Sequence, residues 1–154
     1  MPRWYFEDLT PGFVLEAKGP TVKAEDIIDF AKKFDPQYFH IDEEAAKQSF
    51  FKGLCASGWH TSAMAMRMIC DAYLLDSASL GSPGIDELRW VKPVYANDTL
   101  RLKMTVIEQR PSKSRPEMGS ILSRWDIFNQ KDELVMHMTG WGMFKKRTPG
   151  TPAS

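Results

Sequence analysis

The sequence predicts an α+β domain in which a curved antiparallel sheet wraps one long central helix. Three observations predict it. Helical periodicity is confined to the first half of the chain, strand-length alternation fills the second half from Gly84 onward, and one segment between them is apolar around most of its helical circumference. Helices followed by a meander of strands belong to the α+β layer architectures, with antiparallel strands. A chain of 154 residues with 43% hydrophobic content holds one substantial core, so a single domain is expected over residues 1–145. The end, "KKRTPGTPAS", loses hydrophobicity and gains Pro, Gly, Ser and Thr, which predicts a flexible tail over residues 146–154.

Each element has a local reason. In "YFEDLTPGFVLEA", Thr10-Pro11-Gly12 is a turn signal between apolar residues, and a short strand follows it. In "TVKAEDIIDFAKKFDP", Ile27, Ile28, Ala31 and Phe34 recur at helical spacing, with acids in the first turn and lysines in the last. Pro36 stops that helix by about Phe34. "IDEEAAKQSF" reads as a second, short helix with Asp42 as its N-cap and Glu43 and Glu44 in its first turn.

In "GLCASGWHTSAMAMRMICDAYLLDS", residues such as Trp59, Met64, Met66, Met68 and Ile69 cover most of the helical circumference, which predicts a helix enclosed on all sides. Ser57 and Gly58 stand at its start, where N-caps are found. "IDELRWVKP", "DTLRLKMTVIEQR", "GSILSRWDIFNQ" and "ELVMHMTGWGMF" are strand-length, and Leu100, Leu102, Met104 and Val106 alternate cleanly. Asn97-Asp98 and Gln130-Lys131-Asp132 are expected as hairpin connections and "PSKSRPEMGS" as a longer loop, with three consecutive antiparallel strands.

Composition removes several function classes. Lys plus Arg and Asp plus Glu balance at 20 each, so no overall field favours nucleic acid. Three histidines without ligand spacing argue against a metal site, and Cys55 and Cys70, with no CxxC pattern, read as free, buried thiols. No stretch approaches the roughly 18 apolar residues of a membrane span, and the N-terminus has no signal-peptide pattern, so a soluble, cytoplasmic protein with no membrane partner is expected.

The candidate chemistry lies in "FAKKFDPQYFHIDEEAA". Asp35 ends a helix and His40 follows a turn, so the chain can fold back and bring carboxylate and imidazole to one water. Such a pair suits addition of water across an activated double bond, one group taking a proton from water and the other supplying one to the adjacent carbon, which requires a raised pKa for Asp35. The bland alternative is a turn-initiating Asp and a space-filling His. His60 and His137 read as structural or sheet-surface residues. Downstream, "ASGWH" places free N–H groups at Gly58, the start of the buried helix, where the oxyanion of an activated thioester would be stabilised; a packing glycine is the alternative.

"DPQYFH", with Ala46 as the small residue six positions beyond the His, and "GLCASGWH" resemble the signature segments of the MaoC-like dehydratases, also known as (R)-specific enoyl-CoA hydratases. "RWVKPVYANDTL" also looks like a strand pair of that family, and the resemblance covers most of residues 5 to 145. It implies the hot-dog fold, with Asp35 and His40 as the catalytic pair and the Gly58 amide polarising a thioester carbonyl. Gln37, Tyr38, Ser57 and Trp59 are implied to contact substrate. Gln37 stands where Asn is usual, Tyr38 where Pro is usual and Phe34 where Gly is common, which bears on the acyl group accepted more than on the reaction.

The resemblance further implies an acyl-CoA substrate, no cofactor beyond that CoA, and a homodimer or higher homo-oligomer. Arg110, Lys113, Arg115, Lys145, Lys146 and Arg147 are the basic residues expected to include contacts to the CoA phosphates. A hot-dog thioesterase and a non-catalytic acyl-thioester or lipid-binding module are the alternative functions.

Overall fold

The computed structural model describes residues 1–149. In chain order these form a 3-10 turn at Phe6–Asp8, β1 (Val14–Thr21), α1 (Ala24–Phe34), α2 (Tyr38–Ile41), α3 (Glu43–Lys47) and α4 (Gly58–Ala72). A second 3-10 turn at Leu74–Asp76 leads to β2 (Ser79–Gly81), β3 (Glu87–Trp90), β4 (Thr99–Pro111), β5 (Met118–Phe128) and β6 (Leu134–Lys145). The expected architecture is present: an antiparallel sheet in the order β1-β4-β5-β6-β2, with β3 also on β6, curves around α4.

Period-two alternation does what the sequence predicts. Leu100, Leu102, Met104 and Val106 of β4 are all buried, and they face Ala65, Met68 and Ile69 on one side of α4. A register shift between Val106 and Glu108 bends β4, as an extra residue in one strand does. The helix crosses β1 closely: a Cβ on Gly19 would collide with the Met68 sulfur and the Leu100 carbonyl. α1 stops at Phe34, and Asp42 caps α3 by accepting the Ala45 N–H at 3.0 Å.

Five details differ from the sequence expectations. Asn97-Asp98 is a turn, with Asn97 at φ 75°, yet it joins no hairpin, because β3 pairs with β6 (Trp90↔Met136) while β4 pairs with β1 and β5. Turn chemistry is local, whereas the partner strand is chosen by the whole sheet. α2 and β2 were not foreseen, since four and three residues are too short for periodicity to register.

α4 is not enclosed within one chain: Trp59 and Met66 are 61% and 44% exposed. Lys146 to Thr148, expected to begin the tail, are held at the N-terminal turn, where Arg147 pairs with Asp8 at 2.7 Å and the Arg147 and Thr148 amides donate to Glu7. The rest of that expectation, residues 150–154, lies outside the described residues. Among the described residues no helix is long and apolar enough to cross a membrane.

Candidate active site

Asp35 is the C-cap of α1, its N–H bonded to the Ala31 carbonyl at 2.8 Å. Pro36 pushes it out of the helical region, to φ −153° and ψ 71°, which turns the chain back over the start of α4. The unforeseen α2 then carries His40 inward, where it is 6% exposed. His40 Nδ1 lies 2.6 Å from the Cys55 carbonyl oxygen, which can only accept, so Nδ1 carries a proton and donates it. In the neutral ring Nε2 is therefore the bare nitrogen, and it faces Asp35 Oδ2 at 3.5 Å.

Two lone-pair atoms facing each other at that distance repel unless a proton lies between them. A protonated imidazole or a bridging water supplies it.

The carboxylate has further partners. The Ser57 hydroxyl donates to Asp35 Oδ2 at 2.6 Å and the Gln37 amide donates to Oδ1 at 2.7 Å. Burial favours the neutral acid here, but the Ser57 and Gln37 hydrogen bonds and the attraction of a charged His40 outweigh it and hold Asp35 below the ordinary aspartate range. The raised pKa expected for Asp35 is thereby corrected: its carboxylate is an ionised hydrogen-bond acceptor.

The sign of the pH dependence follows. Asp35 ionises more readily folded than unfolded, so its contribution to stability is present above the ordinary value of 3.8 and is lost as pH falls through the lower, folded value. The gap in unfolding free energy between the native protein and Asp35→Asn, measured by urea denaturation, is expected to narrow as pH drops below that ordinary value.

Asp35, His40, Gln37, Ser57, Gly58 and Trp59 all line one cleft of about 540 Å³. Gly58 opens α4, so its N–H has no carbonyl within the helix to bond. Ser57, the N-cap, spends its hydroxyl on Asp35 instead of capping. Tyr38 stands apart: its ring is 54% exposed and leans on Phe39 at 5.1 Å, outside the cleft lining. Phe39, Phe50, Phe51 and Trp90 form the apolar wall in its place. Sequence reasoning missed these, and missed the Cys55 carbonyl, which has no residue-type signal because every residue carries one.

Burial pushes the Cys55 thiol up to about 11, with Asp35 adding to the effect. Cys55 is thus an inert wall, expected to resist iodoacetamide at neutral pH until the protein unfolds, as read by peptide mass spectrometry. His60 stacks on Phe30 at 4.7 Å, and burial pushes its pKa down, which fits a structural residue.

The basic residues expected near phosphate lie elsewhere in the single chain. Arg110 pairs with Ser120 beside the Gly119↔Phe144 pair, whereas Trp90 at the cleft pairs with Met136. From Met136 to Phe144 the strand runs roughly 27 Å. Arg110 and Arg147 are already engaged by Glu108 and Asp8. Lys92 is the cation that lines the cleft, and it is paired with Glu133.

Several known proteins resemble this chain. The chain is 40% identical to the MaoC-like dehydratase from Rhodospirillum rubrum, with a TM-score of 0.86 over 94% of this chain and 98% of that one. It is 31% identical to the uncharacterized protein YdeM of Bacillus subtilis, covering 84% of this chain and 90% of that protein. Mesaconyl-CoA hydratase of Cereibacter sphaeroides is 39% identical over 70 residues, 46% of this chain and 20% of that longer protein. The profile of the MaoC like domain matches residues 8–121, a span that includes Asp35, His40, Gly58 and Trp90. With its profile, its sheet-wrapped helix and its acid–imidazole cleft in agreement, this chain belongs to the MaoC-like dehydratase family and has the hot-dog fold.

Proposed function

We propose that the protein is a hydro-lyase that adds water reversibly to a trans-2-enoyl thioester, an enoyl-CoA, to give the 3-hydroxyacyl thioester. The observation that carries this reading is the 3.5 Å approach of His40 Nε2 to Asp35 Oδ2 in the cleft that Gly58 also lines. The resemblance to mesaconyl-CoA hydratase supports it.

A water between the two side chains donates one hydrogen to the Asp35 carboxylate and the other to bare Nε2. As the water oxygen bonds to C3, His40 takes its proton and the C2=C3 electrons move toward the thioester carbonyl. The Gly58 N–H, reinforced by the positive end of α4, stabilises the oxygen where charge collects. The imidazolium, held by the Cys55 carbonyl and by Asp35, then delivers the proton to C2 and regenerates the neutral ring. One nitrogen both takes and returns the proton, so H and OH add to the same face.

Trp59 and Met66 on α4 and Trp90 and Val91 at the β3 edge are exposed, and they support a homodimer or higher homo-oligomer that covers this flank. Sedimentation velocity tests that assembly.

The reaction is tested by adding the protein to crotonyl-CoA and following the enoyl-thioester ultraviolet absorbance. It is expected to fall without release of free thiol. Thiol release without hydration would select a thioesterase, and tight binding with neither reaction would select a binding module.

A further inference from the structure

A second cavity, of about 210 Å³, lies between α4 and the sheet, and the mechanism does not use it. Its lining is mainly apolar, with Met66, Ile69, Ile85, Met138 and Trp141 among the residues around it, and it shares no residue with the catalytic cleft. The two spaces are nonetheless in line. Gly58, Ser62, Met66 and Ile69 recur at helical spacing and form one stripe of α4. The facing strand advances the same way, since Trp90 pairs with Met136 at the cleft and Leu88 pairs with Met138 at the cavity.

The Trp90 indole stands between them, with Ser62 and Met136 beside it. The Trp90 indole lies so close over the start of α4 that a Cβ on Gly58 would sit 2.5 Å from its ring. Its Nε1–H donates to Ser62 Oγ at 3.1 Å, and that hydroxyl in turn lies 3.7 Å from the Met136 sulfur. Trp90, Ser62 and Met136 thus form a partition across the stripe, between the cleft that receives the reacting carbons and the apolar space beyond.

We propose that Trp90 is the residue that sets acyl-chain length: it stops the chain at the partition, so the native enzyme takes short enoyl thioesters, and its removal joins the cleft to the cavity. The inference rests on the hydratase reading above. One helical turn from Ser62 to Met66 is about 6 Å, which corresponds to roughly four carbon–carbon bonds of about 1.5 Å. A chain that passes the partition therefore gains room for at least that many carbons. Apolar burial in the cavity then favours the longer substrate, at about 0.8 kcal/mol, or roughly fourfold in affinity, for each methylene that enters.

The test measures kcat/KM for crotonyl-, octenoyl- and dodecenoyl-CoA in the native protein, Trp90→Ala, Trp90→Leu, and Trp90→Ala combined with Met66→Trp, which refills the cavity. In the native protein kcat/KM is expected to fall at least tenfold between crotonyl- and dodecenoyl-CoA. In Trp90→Ala or Trp90→Leu the dodecenoyl to crotonyl ratio is expected to rise at least tenfold, and Met66→Trp is expected to reverse the rise.

A native enzyme that hydrates dodecenoyl-CoA as well as crotonyl-CoA overturns the proposal without any variant. An unchanged ratio in a folded Trp90 variant overturns it too, as does a rise that Met66→Trp leaves intact. A native protein that hydrates none of the three fails the hydratase reading instead, so the two failures are told apart.

Discussion

Asp35→Asn is expected to lower kcat for enoyl-CoA hydration by about 10²–10⁴-fold, the range that general acid–base catalysis supplies and that fails when its His40 base loses the water it acts on, while circular dichroism shows the fold intact. Asn keeps the shape of the side chain and can still accept from Ser57, but it removes the negative charge that in the proposed mechanism orients the water and steadies the imidazolium. His40→Gln is expected to lose as much, because it removes the nitrogen that in the proposed mechanism takes and returns the proton. The two losses are expected not to add in the double variant, since either side chain alone holds only half of the water's geometry. Retention of more than a tenth of the activity in either folded single variant would sink the mechanism.

Gly58→Ala carries the second large effect, and steric contact is the reason. An added methyl would lie 2.5 Å from the Trp90 ring, closer than carbon atoms approach, so the indole or the start of α4 must shift, which strains the Trp90 bond to Ser62. A stability loss of about 1–3 kcal/mol follows from such overpacking. Displacing the start of α4 relative to Asp35 and His40 is expected to lower kcat/KM roughly a hundredfold. Adding Trp90→Leu makes room for the methyl and is expected to restore most of the stability, read by urea denaturation. Gly58→Ala with native stability and activity would show that the indole moves freely.

The legible parts of this protein are those governed by neighbours in sequence. Alternation in β4, the stop of α1 at Pro36 and the Asp42 cap are each decided by residues within one or two turns, and each is where the sequence places it. The positions of Asp35, His40, Ser57 and Gly58 in one cleft were expected from spacing and resemblance, and the structure brings them together. The charge of Asp35 was not legible, because it depends on Ser57, 22 residues away, and on the outcome of burial against hydrogen bonding. Nor was the displacement of Tyr38 outward, since a four-residue helix leaves no periodic trace and decides by its own rotation that His40 and not Tyr38 faces in.

The sequence by itself determined the class of fold, the types of the longer elements and the identity of the acid–imidazole pair, because periodicity, caps and turn chemistry act locally. Only the tertiary structure decided which strand β3 joins, which tautomer His40 adopts against the Cys55 carbonyl, and that Trp90 stands between the cleft and a second cavity. Those depend on contacts between residues far apart in the chain, where sheet pairing and burial act on the whole domain at once, and no short stretch of sequence records their result.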